Sequence, residues 1–266
     1  MDIFGTLQMA ISVVILGVLY FKLYKQEVPK PAWLPIAIVP VIGGLIVYNV
    51  CIPAYLIGMN GILPQLAQSP LAEGVFGSFF SAFILAAFPE EAFKCLMMLL
   101  LIFIFHKRVR NVYEYILIGA AVGLGFTIAE EMGYITDGVN PLRIPLVAGH
   151  MTFNMIMGAF LGSARYKREN GQPGVALNII AGLTIGTILH TVFDAFTVAN
   201  PALKHINSMG AIDNVFIALG VAVVIGAIVL QVVVFKKAAR DCKLCCEMTF
   251  VDGSEEPVKQ GKHIRR

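Results

Sequence analysis

The chain has 266 residues, of which 58% are hydrophobic and only 14% are charged. Soluble domains carry about 25% charged residues, so this composition excludes a soluble globular protein and indicates an integral membrane protein. The formal net charge of +3 is informative only once each basic residue is assigned to one side of the membrane. The length fits one polytopic domain better than two soluble ones.

Apolar stretches long enough to cross a bilayer recur along the whole chain. They predict an all-α, polytopic helix bundle with seven net crossings, at about residues 5–24, 35–59, 75–105, 112–135, 142–164, 176–199 and 214–235. No basic residues precede the first stretch, so we interpret it as a helix and not as a cleaved signal. The third stretch, at about 46 Å, is too long for one straight helix. We expect Pro89 to divide it into a lead-in piece and a second helix, which makes eight helices an alternative.

The basic residues give the orientation. By the positive-inside rule, they place the N-terminus outside and the C-terminus in the cytoplasm. The loops on the opposite side hold only Arg143 and Lys204. Residues 1–240 then form one transmembrane domain, and residues 241–266 form a short polar tail that we expect to be flexible. The basic residues that follow alternate spans are Lys22, Lys25, Lys30, Lys107, Arg108, Arg110, Arg165, Lys167, Arg168, Lys236, Lys237, Arg240 and Lys243.

Two adjacent carboxylates and a lysine lie inside the third predicted span. Charged side chains at bilayer depth cost at least a few kcal/mol, so they usually mark functional sites. Pro89 suits a first helical turn, where the helix dipole would favour ionised Glu90 and Glu91. Lys94 follows them by four and three residues and can pair with either. A purely structural ion-pair network is the alternative.

Other polar residues share the depth of this acid pair. Asn154 follows His150 by four residues, so it lies on the same helix face and could orient the imidazole. A lone intramembrane histidine is often only an interhelical hydrogen bonder. The shared depth favours one site built from four helices. Counting 1.5 Å per residue places five residues in the outer half of a core about 30 Å thick: Glu90, Glu130, His150, His190 and Asp194.

Four short motifs follow one another along residues 70–200. They are EExxK at residues 90–94, GxGFxxxExxxY at residues 123–134, a histidine followed by two glycines at residues 150–162, and HxxxD at residues 190–194. Together they resemble the PrsW family of intramembrane proteases. That family belongs to the superfamily of CAAX-prenyl endopeptidases, bacteriocin-processing proteins and the gamma-secretase scaffold subunit APH-1. Glu131 is a departure, because the family usually has Asn at this position.

The resemblance implies a transmembrane protease domain that cuts a single-span membrane protein, such as an anti-sigma factor, near its extracytoplasmic end. It implies the substrate and the lipid bilayer as partners, no nucleic acid, and the cytoplasmic membrane as location in a bacterium. Glu90 and Glu91 carry over as the essential acid pair and His190 as the essential imidazole. The remaining carried-over residues are Glu130, His150 and Asp194 in the catalytic pocket, supported by Lys94, Phe126, Glu131 and Asn154.

Two mechanisms stay open at this point. In one, Glu130, His150 and His190 bind zinc, which lowers the pKa of a bound water to about 7, and Glu90 or Glu91 is the general base. In the other there is no metal: a glutamate activates water, and a histidine with Asn154 or Asp194 stabilises the oxyanion. Analogy with the CAAX relatives slightly favours the second. A non-catalytic scaffold like APH-1 and a proton-coupled transporter are the alternative functions.

Two cytoplasmic features receive plain interpretations. Three cysteines follow the last span: Cys242, Cys245 and Cys246. They could belong to a zinc site, for which the set is incomplete, or be acylated, but we expect neither role. Glu114 lies near the cytoplasmic end of its span, where we expect it to be exposed.

Overall fold

A computed structural model describes residues 3–67, 74–136, 143–199 and 211–250. These ranges fold into helices and contain no strand. The helices are α1 (Ile3–Gln26), α2 (Leu34–Ile46), α3 (Ile52–Gly58), α4 (Leu63–Ala67), α5 (Gly74–Ala82), α6 (Phe88–Ile104), α7 (Val112–Gly133), α8 (Arg143–Leu146), α9 (Gly149–Glu169), α10 (Val175–Phe196), α11 (Ala211–Arg240) and α12 (Cys242–Glu247). Two π-turns, Val47–Cys51 and Phe83–Ala87, join α2 to α3 and α5 to α6.

The long helices coincide with the predicted apolar stretches, whereas the short helices α4 and α12 lie outside them. Among the described residues, six helical segments are long and apolar enough to cross a bilayer: Ile3–Gln26, Leu34–Gly58, Val112–Gly133, Arg143–Glu169, Val175–Phe196 and Asp213–Arg240. The remaining predicted stretch, the third at residues 75–105, corresponds to α5, its π-turn and α6. The chain is therefore a helical, multi-pass membrane protein. The number of crossings and the side of each terminus stay predictions.

The predicted division before Pro89 is present, but as a π-turn and not as a break. Ala87 and Phe88 keep helical dihedral angles, so the backbone runs from α5 into α6 without leaving the helical region. A π-turn inserts one extra residue, which is one way a helix accommodates an irregular site. The Tyr55 hydroxyl donates to the carbonyl of Ile84 inside this turn, at 3.0 Å. Because helix precedes Glu90 and Glu91, they do not lie at a free N-terminus, and the dipole effect expected there is absent.

Helix α7 lies at the centre of the bundle and is buried on almost every side. Its glycines let neighbouring backbones come into contact. A Cβ at Gly119 would collide with the carbonyl of Asn154, and one at Gly123 with the carbonyl of His150. Small residues at such positions allow membrane helices to pack backbone against backbone. This close approach of α9 to α7 brings His150 beside Glu130.

The segment that follows α1 and the segment between α6 and α7 both carry basic residues and meet at one end of the bundle. Arg110, between α6 and α7, pairs with Glu27 and Glu114, each at 2.8 Å. Glu114 was expected to be exposed, and that is wrong: it is fully buried, and its backbone N–H donates to the Asn111 side chain that caps α7. The pKa of Glu27 is raised to about 7, because the carboxyl is buried and faces the charge of Glu114.

The first part of the segment predicted to be a flexible tail is folded. Helix α12 buries Cys242 and Cys246 against the bundle, and Thr249 forms an isolated antiparallel bridge with Asn111. Phe250 lies edge-on to Tyr115, with 5.3 Å between ring centroids. The thiols thus pack as small apolar groups, a property that the polar composition of the segment concealed. Residues 251–266 of the predicted tail lie outside the described residues.

Candidate active site

A buried ammonium group lies at the centre of the polar cluster. Lys94 Nζ is 3.1 Å from Glu90 Oε2, 3.0 Å from Glu91 Oε1 and 3.0 Å from His150 Nδ1. The Phe126 ring covers a further side, with its centroid 3.5 Å from Nζ. The i,i+3 and i,i+4 spacings predicted the two carboxylate contacts. The contacts with α7 and α9 arise only in the folded bundle.

The hydrogen bonds of His150 fix its tautomer. An ammonium group has three donors and no acceptor, so Nδ1 of His150 must accept from Lys94 and carries no proton. The ring proton then lies on Nε2, which donates to Glu130 Oε2 at 3.1 Å. A neutral imidazole therefore connects the lysine to the acid at the end of α7.

His190 lies among three acids. Its Nδ1 is 3.1 Å from Glu91 Oε1, and its Nε2 is 3.4 Å from Asp194 and 4.0 Å from Glu90. The contact with Asp194 is the i,i+4 pairing that the spacing predicted. The ring centroids of His190 and His150 are 5.0 Å apart. One nitrogen of His190 thus contacts the buried acid Glu91, and the other faces Asp194 first and Glu90 second.

The site has a buried part, formed by Glu91 and Lys94, and a partly exposed part, here called the mouth, which contains Glu90, Asp194 and Glu130. The side chains of Glu91 and Lys94 are 0% exposed, whereas Glu90 and Asp194 are each 14% exposed and Glu130 is 20% exposed. Oε2 of Glu91 has no hydrogen-bond partner among the described residues and lies beside Gly186. A reacting molecule can therefore reach Glu90 more readily than Glu91.

Arg143 completes the mouth of the site, and the sequence analysis missed it. Its Nη2 is 2.7 Å from Glu131 Oε1 and 4.0 Å from Glu130 Oε2, and its guanidinium lies 3.8 Å from the Tyr134 ring centroid. From the sequence, Arg143 was interpreted only as a loop charge. The available signal was an arginine in the short loop that follows two adjacent acids.

The structure brings together nine of the ten predicted site residues through the contacts above, while their catalytic roles stay predictions. Asn154 is the exception. Its Nδ2 donates to the backbone carbonyl of His150 at 2.9 Å, and its Oδ1 has no partner among the described residues. The amide therefore does not contact the imidazole that we expected it to orient. Its position on α9 is fixed instead by the backbone of its own helix.

The donor groups suit zinc in chemical type, but the Lys94 ammonium lies among them. The four residues whose donor atoms lie within 4.8 Å of one another are Glu90, Glu91, His150 and His190. Glu130, a predicted zinc ligand, stands outside this set, because it lies at the mouth between His150 and Arg143. Lys94 Nζ already bonds three of the four candidates. With the ammonium in this place, the residues do not fit a metal ion.

A bundle of apolar helices around buried acids, imidazoles and a lysine defines a multi-pass membrane protein with an intramembrane polar site. The chain belongs to the family described as "PrsW family intramembrane metalloprotease", whose profile matches residues 30–235.

Named relatives support the same assignment. The chain is 32% identical to Protease PrsW of Halalkalibacterium halodurans over 150 residues, which cover 53% of this chain and 66% of the relative. It is 24% identical to Protease PrsW of Shouchella clausii over 159 residues, 58% of this chain and 66% of the relative. It is 30% identical to Protease PrsW of Bacillus subtilis over 122 residues, 44% and 54% of the two chains. The chain thus spans just under two thirds of the first two relatives and about half of the third. No solved structure matches it significantly.

Proposed function

We propose that this chain is an intramembrane endopeptidase that hydrolyses a peptide bond of a membrane-anchored protein. The observation that carries the proposal is the convergence of Glu90, Glu91, His150 and His190, from three helices, within 4.8 Å. Buried acids and imidazoles are costly in a membrane, so their convergence indicates chemistry rather than packing. Membership of a protease family supports this assignment over a scaffold or a transporter.

The proposed topology has seven crossings with the N-terminus outside. It is supported by the gathering of basic loops at one end, where Arg110 contacts Glu27 and Arg165 Nη1 donates to the carbonyl of His106 at 3.3 Å. The site residues lie towards the opposite ends of α6, α7, α9 and α10. The cut then falls near the extracytoplasmic side. The substrate class that the resemblance implies is a single-span protein of the anti-sigma-factor kind.

In the proposed mechanism, Glu90 is the general base. It lies at the mouth, and Lys94 holds one of its oxygens at 3.1 Å. Glu90 takes a proton from a water whose oxygen attacks the carbonyl carbon of the peptide bond. His190 lies between the carboxylates of Glu91 and Asp194, which favour an imidazolium with a proton on both ring nitrogens. Its Nε2–H, 4.0 Å from Glu90, is placed to donate to the developing oxyanion. The C–N bond then breaks, and the proton held by Glu90 passes to the leaving amine.

A cleavage assay tests the proposal. The purified chain is reconstituted in liposomes with a panel of epitope-tagged, single-span anti-sigma factors, and the released fragments are measured. We expect Glu90→Gln and His190→Ala each to lower the rate by at least about 100-fold, a typical loss for a general acid or base. Glu169→Gln is the matched control, because Glu169 pairs with Arg165 far from the site.

The same liposomes separate the alternative functions. Normal cleavage by folded Glu90→Gln and His190→Ala variants would contradict the proposed chemistry. A wild-type chain that releases no fragment but carries protons down an imposed pH gradient would be a transporter instead.

A further inference from the structure

We propose that the Lys94 ammonium is the resident cation of this site and excludes a metal ion from it. The inference concerns the same site as the proposed peptidase and deepens that proposal by naming the cation that the acids hold. The family description implies a metal, whereas this chain places a lysine side chain among the candidate ligands.

The ammonium bonds three of the four candidate metal ligands. Its three donors are matched by Glu90 Oε2, Glu91 Oε1 and His150 Nδ1, all at 3.0–3.1 Å. A neutral imidazole nitrogen has one lone pair, so His150 Nδ1 can bind the lysine or a metal but not both. His190 is the only candidate ligand of the four that does not bond Nζ in the described structure.

The distances from Nζ to its three acceptors match an ammonium and not zinc. Zinc binds oxygen and nitrogen at about 2.0–2.2 Å, so tetrahedral ligands lie about 3.4 Å from one another. The four candidate atoms all lie within 4.8 Å of one another, with 3.9 Å between His150 Nδ1 and Glu91 Oε1 and 3.1 Å between His190 Nδ1 and Glu91 Oε1, so the spacing between ligands does not by itself exclude zinc. Contacts of 3.0–3.1 Å are instead ordinary hydrogen bonds from nitrogen. A metal would therefore have to displace Nζ from these acceptors.

The lysine ammonium is fully enclosed by its neighbours in the described structure. Its side chain is 0% exposed, and the face of Phe126 lies 3.5 Å from Nζ. If a dication took its acceptors, the ammonium would stay buried, without partners and next to a double positive charge. Uncompensated buried charge is strongly unfavourable. Lysine and metal are thus mutually exclusive occupants, and the lysine is covalently attached.

Metal binding, and not cleavage, tests the inference. The probe is Co²⁺, which in tetrahedral nitrogen and oxygen sites absorbs visible light, and elemental analysis after exposure to Zn²⁺ gives the stoichiometry. The wild-type chain should show no metal binding that is lost when His150 or His190 is replaced. Lys94→Met, which removes the ammonium but keeps the volume, should bind one Co²⁺ per chain at least about tenfold more tightly than wild type. Lys94→Arg keeps a cation and should behave as wild type.

The outcomes separate cleanly. One Zn²⁺ or Co²⁺ per wild-type chain, lost in His150→Ala or His190→Ala, overturns the inference, and this measurement needs no lysine variant to fold. Binding by Lys94→Met no tighter than by wild type also overturns it, because something other than Lys94 would then keep the metal out. If Lys94→Met folds poorly, Zn²⁺ should raise its unfolding temperature but not that of wild type. If this inference fails, the peptidase proposal is not affected, because the cleavage assay tests it separately.

Discussion

Arg143 Nη2 lies 2.7 Å from Glu131 Oε1 and fastens the end of α7 to the segment that leads into α9. The same nitrogen is 4.0 Å from Glu130 Oε2, which accepts from His150. The arginine therefore helps to hold the acid and the imidazole that face each other across these two helices. Glu131, the residue that departs from the family pattern, supplies the charge that keeps Arg143 there.

Breaking this pair should change both stability and activity. Arg143→Met and Glu131→Gln should each destabilise the chain, and the double variant should lose less than the sum, with a coupling energy of about 1–3 kcal/mol. Unfolding in detergent measures the cycle. Arg143→Lys should restore part of the cleavage lost in Arg143→Met, with the change in kcat rather than in KM. Additive losses in the cycle would show that the two residues act independently.

Removal of the buried lysine should be the most costly single change at the site. Lys94→Met leaves Glu90 and Glu91 without their cation, and loss of one partner of a buried ion pair costs about 3–5 kcal/mol. Lys237→Met is the matched control, because Lys237 is 64% exposed and pairs with Asp241 at the end of α11. Its change should stay within about 0.5 kcal/mol. Equal effects of the two substitutions would argue against a charge-balancing role for Lys94.

Gly123→Ala should separate α7 from α9. The new Cβ would meet the backbone carbonyl of His150, which cannot move as a flexible side chain can. Such overpacking typically costs about 1–3 kcal/mol, and we expect loss of cleavage as His150 moves away from Glu130. Gly226→Ala on α11 is the control, since nothing lies within 4 Å of its added Cβ. A Gly123→Ala chain as stable and active as Gly226→Ala would contradict the close-packing account.

The buried acid Glu27, just beyond the end of α1, should make stability depend on pH. Burial first, and the nearby Glu114 second, raise its pKa to about 7 from 4.5. The folded chain then binds more protons than the unfolded chain between these values, so stability should fall as pH rises from about 4.5 to about 7. Glu27→Gln, a neutral isostere, should flatten this dependence and raise the unfolding temperature at pH 8 by at least about 2 °C. An unchanged pH profile in Glu27→Gln would assign the dependence to other groups.

Hydropathy was sufficient to predict the helices, because spanning length and apolar composition are local properties of the chain. The ends of α7, for example, agree with the predicted stretch to within two residues. The pairing of Lys94 with Glu90 and Glu91 was also local, at i,i+4 and i,i+3. Contacts between distant parts of the chain could not be predicted from local spacing or hydropathy. Lys94 and His150 are 56 residues apart, and no spacing rule connects them.

The same limit explains where the structure differs from what the sequence suggested. The predicted zinc set included Glu130, since residue type and depth cannot show that this acid faces Arg143 at the mouth. Glu114 was expected to be exposed because of its place near a helix end, but Glu27 and Arg110 enclose it in the folded chain. Folding of α12 depends on contacts with α7 and α1 that its own composition does not indicate.

The π-turn at Phe83–Ala87 sets the direction in which the acid pair points. One extra residue in a helix rotates everything beyond it by about 100° relative to what precedes it. The side of α5 that packs against α10 therefore does not continue along α6 as the side that contacts His150 and His190. A chain shortened by one residue here would keep every chemical group and aim the glutamates at the wrong neighbours.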